Sequence, residues 1–217
     1  MTTLRSLPAL RLLHVVAACA LAACSTLAPV PADAPVLHVL DANALPPTAP
    51  AVARARVLEV GTPRAAPGFD TPAMAYVQKP HTLDYFAVHR WVEPPAQMLA
   101  PPLVRALEET GAFRAVVRGT SGVRADVRLD TELIRLQQSF LSKPSRVELV
   151  LRVQLVDVGA RRVVATRTFE ATREAPVDDP EGGVAAANAA VASALAEVAA
   201  FAATSSADVA PGSARGN

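Results

Sequence analysis

The sequence predicts an α+β fold: an antiparallel or mixed β-sheet with two main helices packed on one face, in a single domain. Three patterns predict it. Apolar residues alternate with polar ones from Val127 to Leu133 and again from Val147 to Leu155, the period of two expected of strands with one buried face. Gly159-Ala160 then supplies a turn, and Arg162 to Thr172 returns as a partner, which makes an antiparallel meander. Two other stretches carry helical signals: Leu99, Leu103 and Leu107 recur every four residues, and a long alanine-rich run opens at Asp179-Pro180-Glu181.

The elements follow in order along the chain. Arg5 and Arg11 precede an apolar stretch from Leu12 to Ala23, the basic-then-apolar order of a secretory signal. The stretch is short of the ~20 residues that a membrane span needs. Leu21-Ala22-Ala23-Cys24 closes it with small residues before a cysteine, the pattern of a lipoprotein cleavage site. Cleavage before Cys24 leaves a thiol at the new N-terminus as the lipid attachment point. One acyl chain holds a protein only marginally, at ~0.8 kcal/mol per buried methylene, whereas two or more anchor it stably. Residues 1–23 are therefore expected to be a signal peptide and 24–35 a lipidated tether. Pro29, Pro31 and Pro35 favour extended backbone in that tether, at ~3.1 Å per residue and roughly 30 Å in all.

The folded domain is expected over 36–203. Val36 to Leu40 reads as a short first strand and Val52 to Val60 as a second, separated by the proline-rich segment Asp41 to Pro50 and ended by Gly61-Thr62-Pro63. Ala73 to Gln78 and Leu83 to Trp91 suggest a hairpin about the polar break Lys79-Pro80-His81-Thr82. Pro94 and Pro95 suit the first turn of a helix, and Gly111 is a natural stop. Pro101 and Pro102 lie inside that helical pattern, where a proline costs ~3 kcal/mol or kinks the helix, so the expectation is a bend there or a start delayed to Pro101. Phe113 to Val117 is expected to be another strand. Beyond Leu133 the apolar phase shifts to Ile134 and Leu136, which predicts a bulge. Asp179 offers an N-cap carboxylate, Pro180 a first-turn proline and Glu181 an acid at the positive end of the helix dipole. This last helix should run to about Ala203, with Val184, Val191, Leu195, Val198 and Ala202 on one face and Ser193 and Glu197 opposite. Its stripe, with Asn188 and Glu197, argues for packing on the sheet rather than spanning a membrane. Residues 204–217 are polar and small and are expected to be a disordered tail.

Composition removes several function classes. Of 21 Lys and Arg the signal takes Arg5 and Arg11, leaving 19 basic against 20 acidic side chains; no basic run survives, so nucleic acid is not a partner. Cys19 goes with the signal, so Cys24 is the only mature cysteine, and neither a disulfide within the domain nor a thiolate metal site can form. His38, His81 and His89 are scattered, with no metal-ligand spacing, so the sequence predicts neither a metal nor a cofactor. Ser139, His89 and Asp84 are the residue types of a nucleophilic triad, but no Gly-x-Ser-x-Gly turn accompanies them. Glu108-Glu109 reads as a solvated helix face and Asp178-Asp179 as a helix cap, so neither pair suggests an acid/base dyad. No catalytic residue is expected. An envelope hydrolase with an unrecognised site is the least favoured reading.

Arg90-Trp91-Val92-Glu93-Pro94-Pro95 remains conspicuous, because it holds the only tryptophan and joins strand to helix. A tryptophan there packs under the helix, with Arg90 and Glu93 as surface or capping partners; alternatively Arg90, Trp91 and Glu93 form a partner-binding edge, since Trp and Arg are favoured at binding hot spots.

The lipobox, Leu37-His38-Val39-Leu40-Asp41, the hairpin through Tyr76 and Tyr85-Phe86, the Arg90-Trp91-x-Glu93-Pro94-Pro95 junction, Leu103-x-x-x-Leu107 and Gly111-x-Phe113-x-x-Val116 together resemble the ABC-type transport auxiliary lipoproteins. The motifs are short and their order carries the resemblance, which covers most of the mature chain; the Pro101-Pro102 pair departs from it. The resemblance implies a non-catalytic auxiliary component of an ABC/MCE-type lipid transport system of Gram-negative bacteria. It implies several acyl chains on Cys24. Ser25, standing where an Asp would retain such lipoproteins, implies a place on the periplasmic face of the outer membrane. The implied partners are the membrane, through the lipid anchor, and a periplasmic MCE-domain protein, with a homo-oligomer as a further possibility. The alternative is a periplasmic lipid-binding carrier that holds an acyl chain between helices and sheet.

Overall fold

The computed structural model describes residues 34–42, 56–119 and 121–209, and all but Ala34 belong to one unit, Pro35–Asn217. Its organising element is β7 (Val127–Ser139), which lies between two kinds of neighbour. On one side β8 (Arg146–Asp157) runs antiparallel along its whole length, and β9 (Arg162–Glu174) runs antiparallel beside β8. On the other side three short strands lie end to end, all parallel to β7: β2 (Val57–Val60) against 127–129, β3 (Arg64–Ala65) against 132–133 and β4 (Ala73–Lys79) against 138–139. Outside these, β6 (Ala115–Arg118) pairs parallel with β2, while β5 (Thr82–Trp91) turns back antiparallel on β4. The edge beyond β5 is β1 (Val36–His38), parallel to it in the register Val36↔His89 and His38↔Trp91.

Alternation decides which sheet face is covered. Val127, Leu129, Leu133, Val147, Leu149, Leu151, Val153 and Leu155 are buried, while Arg128, Asp130, Glu132 and Arg152 face outward between them. The predicted phase change is a register shift between Leu133 and Arg135; the extra residue at Ile134 returns Leu136 to the buried side. Against this face pack α1 (Pro95–Glu109) and α2 (Pro180–Ser205), which also touch each other. Asp179 caps α2 by accepting from the Gly182 amide at 2.7 Å. Helix α2 is long and apolar enough to cross a membrane by composition, yet Ala186, Ala190, Val191, Ala194, Leu195, Val198 and Ala202 are buried against the domain. Val184, expected on that stripe, is half-buried.

Several expected boundaries move. The first strand stops at His38 rather than Leu40. The second begins at Val57, with 52–55 outside the described residues. The strand expected at Phe113 begins at Ala115, because Phe113 is buried in the core at the end of the connection from α1. The start of α1 is not delayed to Pro101: the helix is assigned from Pro95 with both prolines inside it. Pro102 is buried on the core side, and Leu99, Leu103 and Leu107 are fully buried, so tertiary packing of the apolar stripe outweighs the amides lost. The tail expected from Thr204 is part of the fold as far as Val209: α2 continues to Ser205, a single 3₁₀ turn follows, and Val209 is 1% exposed. Arg56 fastens this end by donating to the carbonyl oxygens of Val209 and Ala207. A signal peptide over 1–23, the tether up to Asp33 and the end of the tail, 210–217, lie outside the described residues.

Candidate functional site

The end of β5 delivers the Arg90–Pro95 junction to the sheet edge next to β1, the outermost strand on that side among the described residues. Trp91 is 5% exposed and belongs to the core; its amide donates to Pro72 O at 2.8 Å, and the Val92 amide donates to His38 O at 2.9 Å. Arg90, Val92 and Glu93 are exposed. The residue before α1 is Pro94, and no side chain caps that helix, so Glu93 is a surface residue and not a cap. Of the three junction residues singled out from the sequence, two therefore present side chains to solvent and one is buried in the core. The neighbouring edge strand adds Val36, Leu37 and Val39, which are 41, 58 and 50% exposed.

The same edge gathers a group that sequence reading separated. His38 on β1 and His89 on β5 point to one face, because His89 is opposite Val36, two residues from His38. Their planes lie 12° from parallel with centroids 5.2 Å apart, and His38 Nε2 is 3.0 Å from His89 Nδ1, so the rings meet nitrogen to nitrogen. Glu181, in the first turn of α2, brings Oε1 to 3.6 Å from that same Nδ1. Trp91 meets the His38 ring edge-on at 6.5 Å, and Phe86 meets His89 in the same way at 6.3 Å. Burial, and then the neighbouring His89, hold His38 below the ordinary histidine pKa, with Glu181 pulling the other way. The chain separation of His38 and His89 hid this arrangement. The only sequence signal was that each lies in a predicted strand, His89 two residues before the tryptophan, and no periodicity announces a parallel pairing between those strands.

The remaining candidates are not drawn together. Ser139 is buried at the end of β7, where it pairs with Arg146, and Asp84 is paired with Tyr76 in the hairpin. Glu108 and Glu109 are exposed at the end of α1, and Asp178 and Asp179 serve the start of α2 by accepting from the Ser145 and Gly182 amides. Between α2 and the sheet, the space bounded by Met74, Phe86, Trp91, Leu136 and Ala187 amounts to about 10 Å³, room for one water at most. Cys24 lies outside the described residues.

No curated protein matches this chain. Among solved structures it is similar to the protein XCC0632 from Xanthomonas campestris, assigned to family DUF330, with 26% identity and a TM-score of 0.72 over 78% of this chain and 95% of that one. An uncharacterised protein shares the fold at 15% identity and a TM-score of 0.61, over 77% and 97% of the two chains. PelC from Paraburkholderia phytofirmans, solved as a dodecamer, is more distant, with 16% identity and a TM-score of 0.41 over 71% and 92%. Residues 38–199, from the His38 edge strand through most of α2, match the family described as the ABC-type transport auxiliary lipoprotein component. The chain belongs to that family.

Proposed function

We propose that this auxiliary lipoprotein is held by lipid on Cys24 to the periplasmic face of the outer membrane and docks a periplasmic MCE-domain partner of an ABC-type lipid transporter through the β1–β5 edge. The observation that carries the reading is the exposed apolar edge: Val36, Leu37, Val39 and Val92, each at least 41% exposed, lie beside the charged side chains of Arg90 and Glu93. A free edge strand offers unpaired backbone groups to a partner strand, and its side chains set the choice of partner. Trp91 acts from below, as the rigid support that keeps Arg90 and Glu93 in place. No catalytic step belongs to this role; the transporter's ATPase supplies the energy. The water-sized seam beneath α2 has no room for an acyl chain, which argues against a carrier at that helix.

A photo-crosslinking residue at Leu37 or Arg90 of the full chain, activated in intact cells, is expected to capture an MCE-domain protein. A capture consisting only of further copies of this chain would assign the edge to a homo-oligomer. Recovery of no envelope transport component from either position would overturn the docking reading. For the anchor, metabolic labelling of cells with a clickable fatty acid is expected to mark the parent chain and to leave Cys24→Ala unmarked. Equal labelling of the variant would remove Cys24 from its role.

A further inference from the structure

Three potential ligand atoms from three separate elements meet at the β1–β5 edge. His38 Nε2, His89 Nδ1 and one Glu181 carboxylate oxygen all lie within 4.8 Å of one another, two of the three separations being 3.0 and 3.6 Å. Zinc bonds of ~2.0–2.2 Å to nitrogen and oxygen in tetrahedral array set neighbouring ligand atoms roughly 3.3 Å apart, and these two separations straddle that value. A proton serves the group less well. His89 Nδ1 faces both His38 Nε2 and Glu181 Oε1, and a single proton on it makes one good hydrogen bond, whereas one cation takes all three lone pairs together.

We propose that His38, His89 and Glu181 form a binding site for a late first-row divalent cation of the zinc class. Two imidazoles and a carboxylate are the ligands such an ion prefers over magnesium or calcium, which take oxygen. The half-buried histidines supply the fixed part of the site, and their rings are backed by Trp91 and Phe86. Glu181 supplies the closing ligand from the first turn of α2, and its charge offsets the positive helix end that faces the ion. Three protein ligands leave one tetrahedral position open on the solvent side, where Glu181 is 61% exposed. An ion here ties the edge strand to both β5 and α2, elements that the polypeptide itself connects only at long range.

The test uses the full chain in detergent, stripped with a chelator and titrated with zinc chloride against a chromophoric competitor. One equivalent is expected to bind, to raise the melting temperature and to be lost in the His38→Ala/His89→Ala double variant. Cobalt(II) in place of zinc is expected to give the intense visible bands of a tetrahedral site. Glu181→Gln, at an exposed position that leaves the fold intact, is expected to weaken zinc binding by at least about tenfold, and His81→Ala to leave it unchanged. Absence of zinc binding by the parent chain overturns the proposal. So does equal binding by the parent chain and by either the double variant or Glu181→Gln.

Discussion

Gly183 has no room for a side chain: a Cβ there would come within 2.2 Å of Gln138 Oε1. Gln138 cannot step aside easily, since its Nε2 donates to Ser145 Oγ and to Asp179 O, both at 3.0 Å. Gly183→Ala therefore sets a helix-propensity gain of ~1 kcal/mol against an overpacking cost of ~1–3 kcal/mol and the disturbance of two hydrogen bonds. The net expectation is a loss of stability, read as a lower melting temperature. Gly182→Ala is expected to lose more, because its Cβ would meet the Val177 backbone oxygen at 2.1 Å and backbone yields less than a side chain. Asp178 stands beside this turn and accepts from the Ser145 amide at 2.6 Å, which holds its carboxyl below the ordinary value, with Lys143 adding slightly. A carboxyl depressed in the folded state adds stability above its unfolded pKa of ~4 and loses it as pH falls through the folded value. Denaturant unfolding measured from neutral pH down to about pH 2 is accordingly expected to show a shallower acid decline in Asp178→Asn than in the parent chain.

The C-terminal turn after α2 depends on one side chain from the start of β2. Arg56 donates to Val209 O and Ala207 O, and hydrogen bonds made by a charged group contribute ~1.5–3 kcal/mol at best. Arg56→Ala is expected to speed amide hydrogen exchange at Ser206 to Val209 while leaving β7 and β8 protected; unchanged exchange would show that Val209 burial alone holds the turn. This clasp was not legible in a segment of small polar residues, since a single apolar Val209 among them carries no periodicity. The meander was legible, because alternation from Val127 to Leu133 and from Val147 to Leu155 fixes which side chains share the buried face, and so was the bulge, because an odd residue in a period of two moves every later side chain to the other face. The cap of α2 was legible from Asp179-Pro180 alone. The uninterrupted course of α1 through Pro101 and Pro102 was not, since local propensity argued against it and the burial of Leu99, Leu103 and Leu107 prevailed.

At the scale of the molecule, β7 joins everything: its long antiparallel partner on one side and three short parallel strands on the other. The core beneath β7 and β8 is continuous, so Leu151→Ala, at a fully buried position, is expected to cost ~2–5 kcal/mol. It should still unfold in one transition, with circular dichroism and tryptophan fluorescence coincident. The parallel strands were the least legible part, because β3 is two residues long and long-range parallel pairing leaves no local pattern. The His38–His89–Glu181 group escaped the sequence reading for the same reason: ligand spacing along a chain is informative only within one element, and here each residue comes from a different one. Trp91 was legible as a buried residue of the junction, and its position has a practical corollary. With its indole edge-on to His38 and no other indole in the polypeptide, the molecule carries its own optical gauge at the rim, whose emission should register any peeling away of the first strand without an added dye.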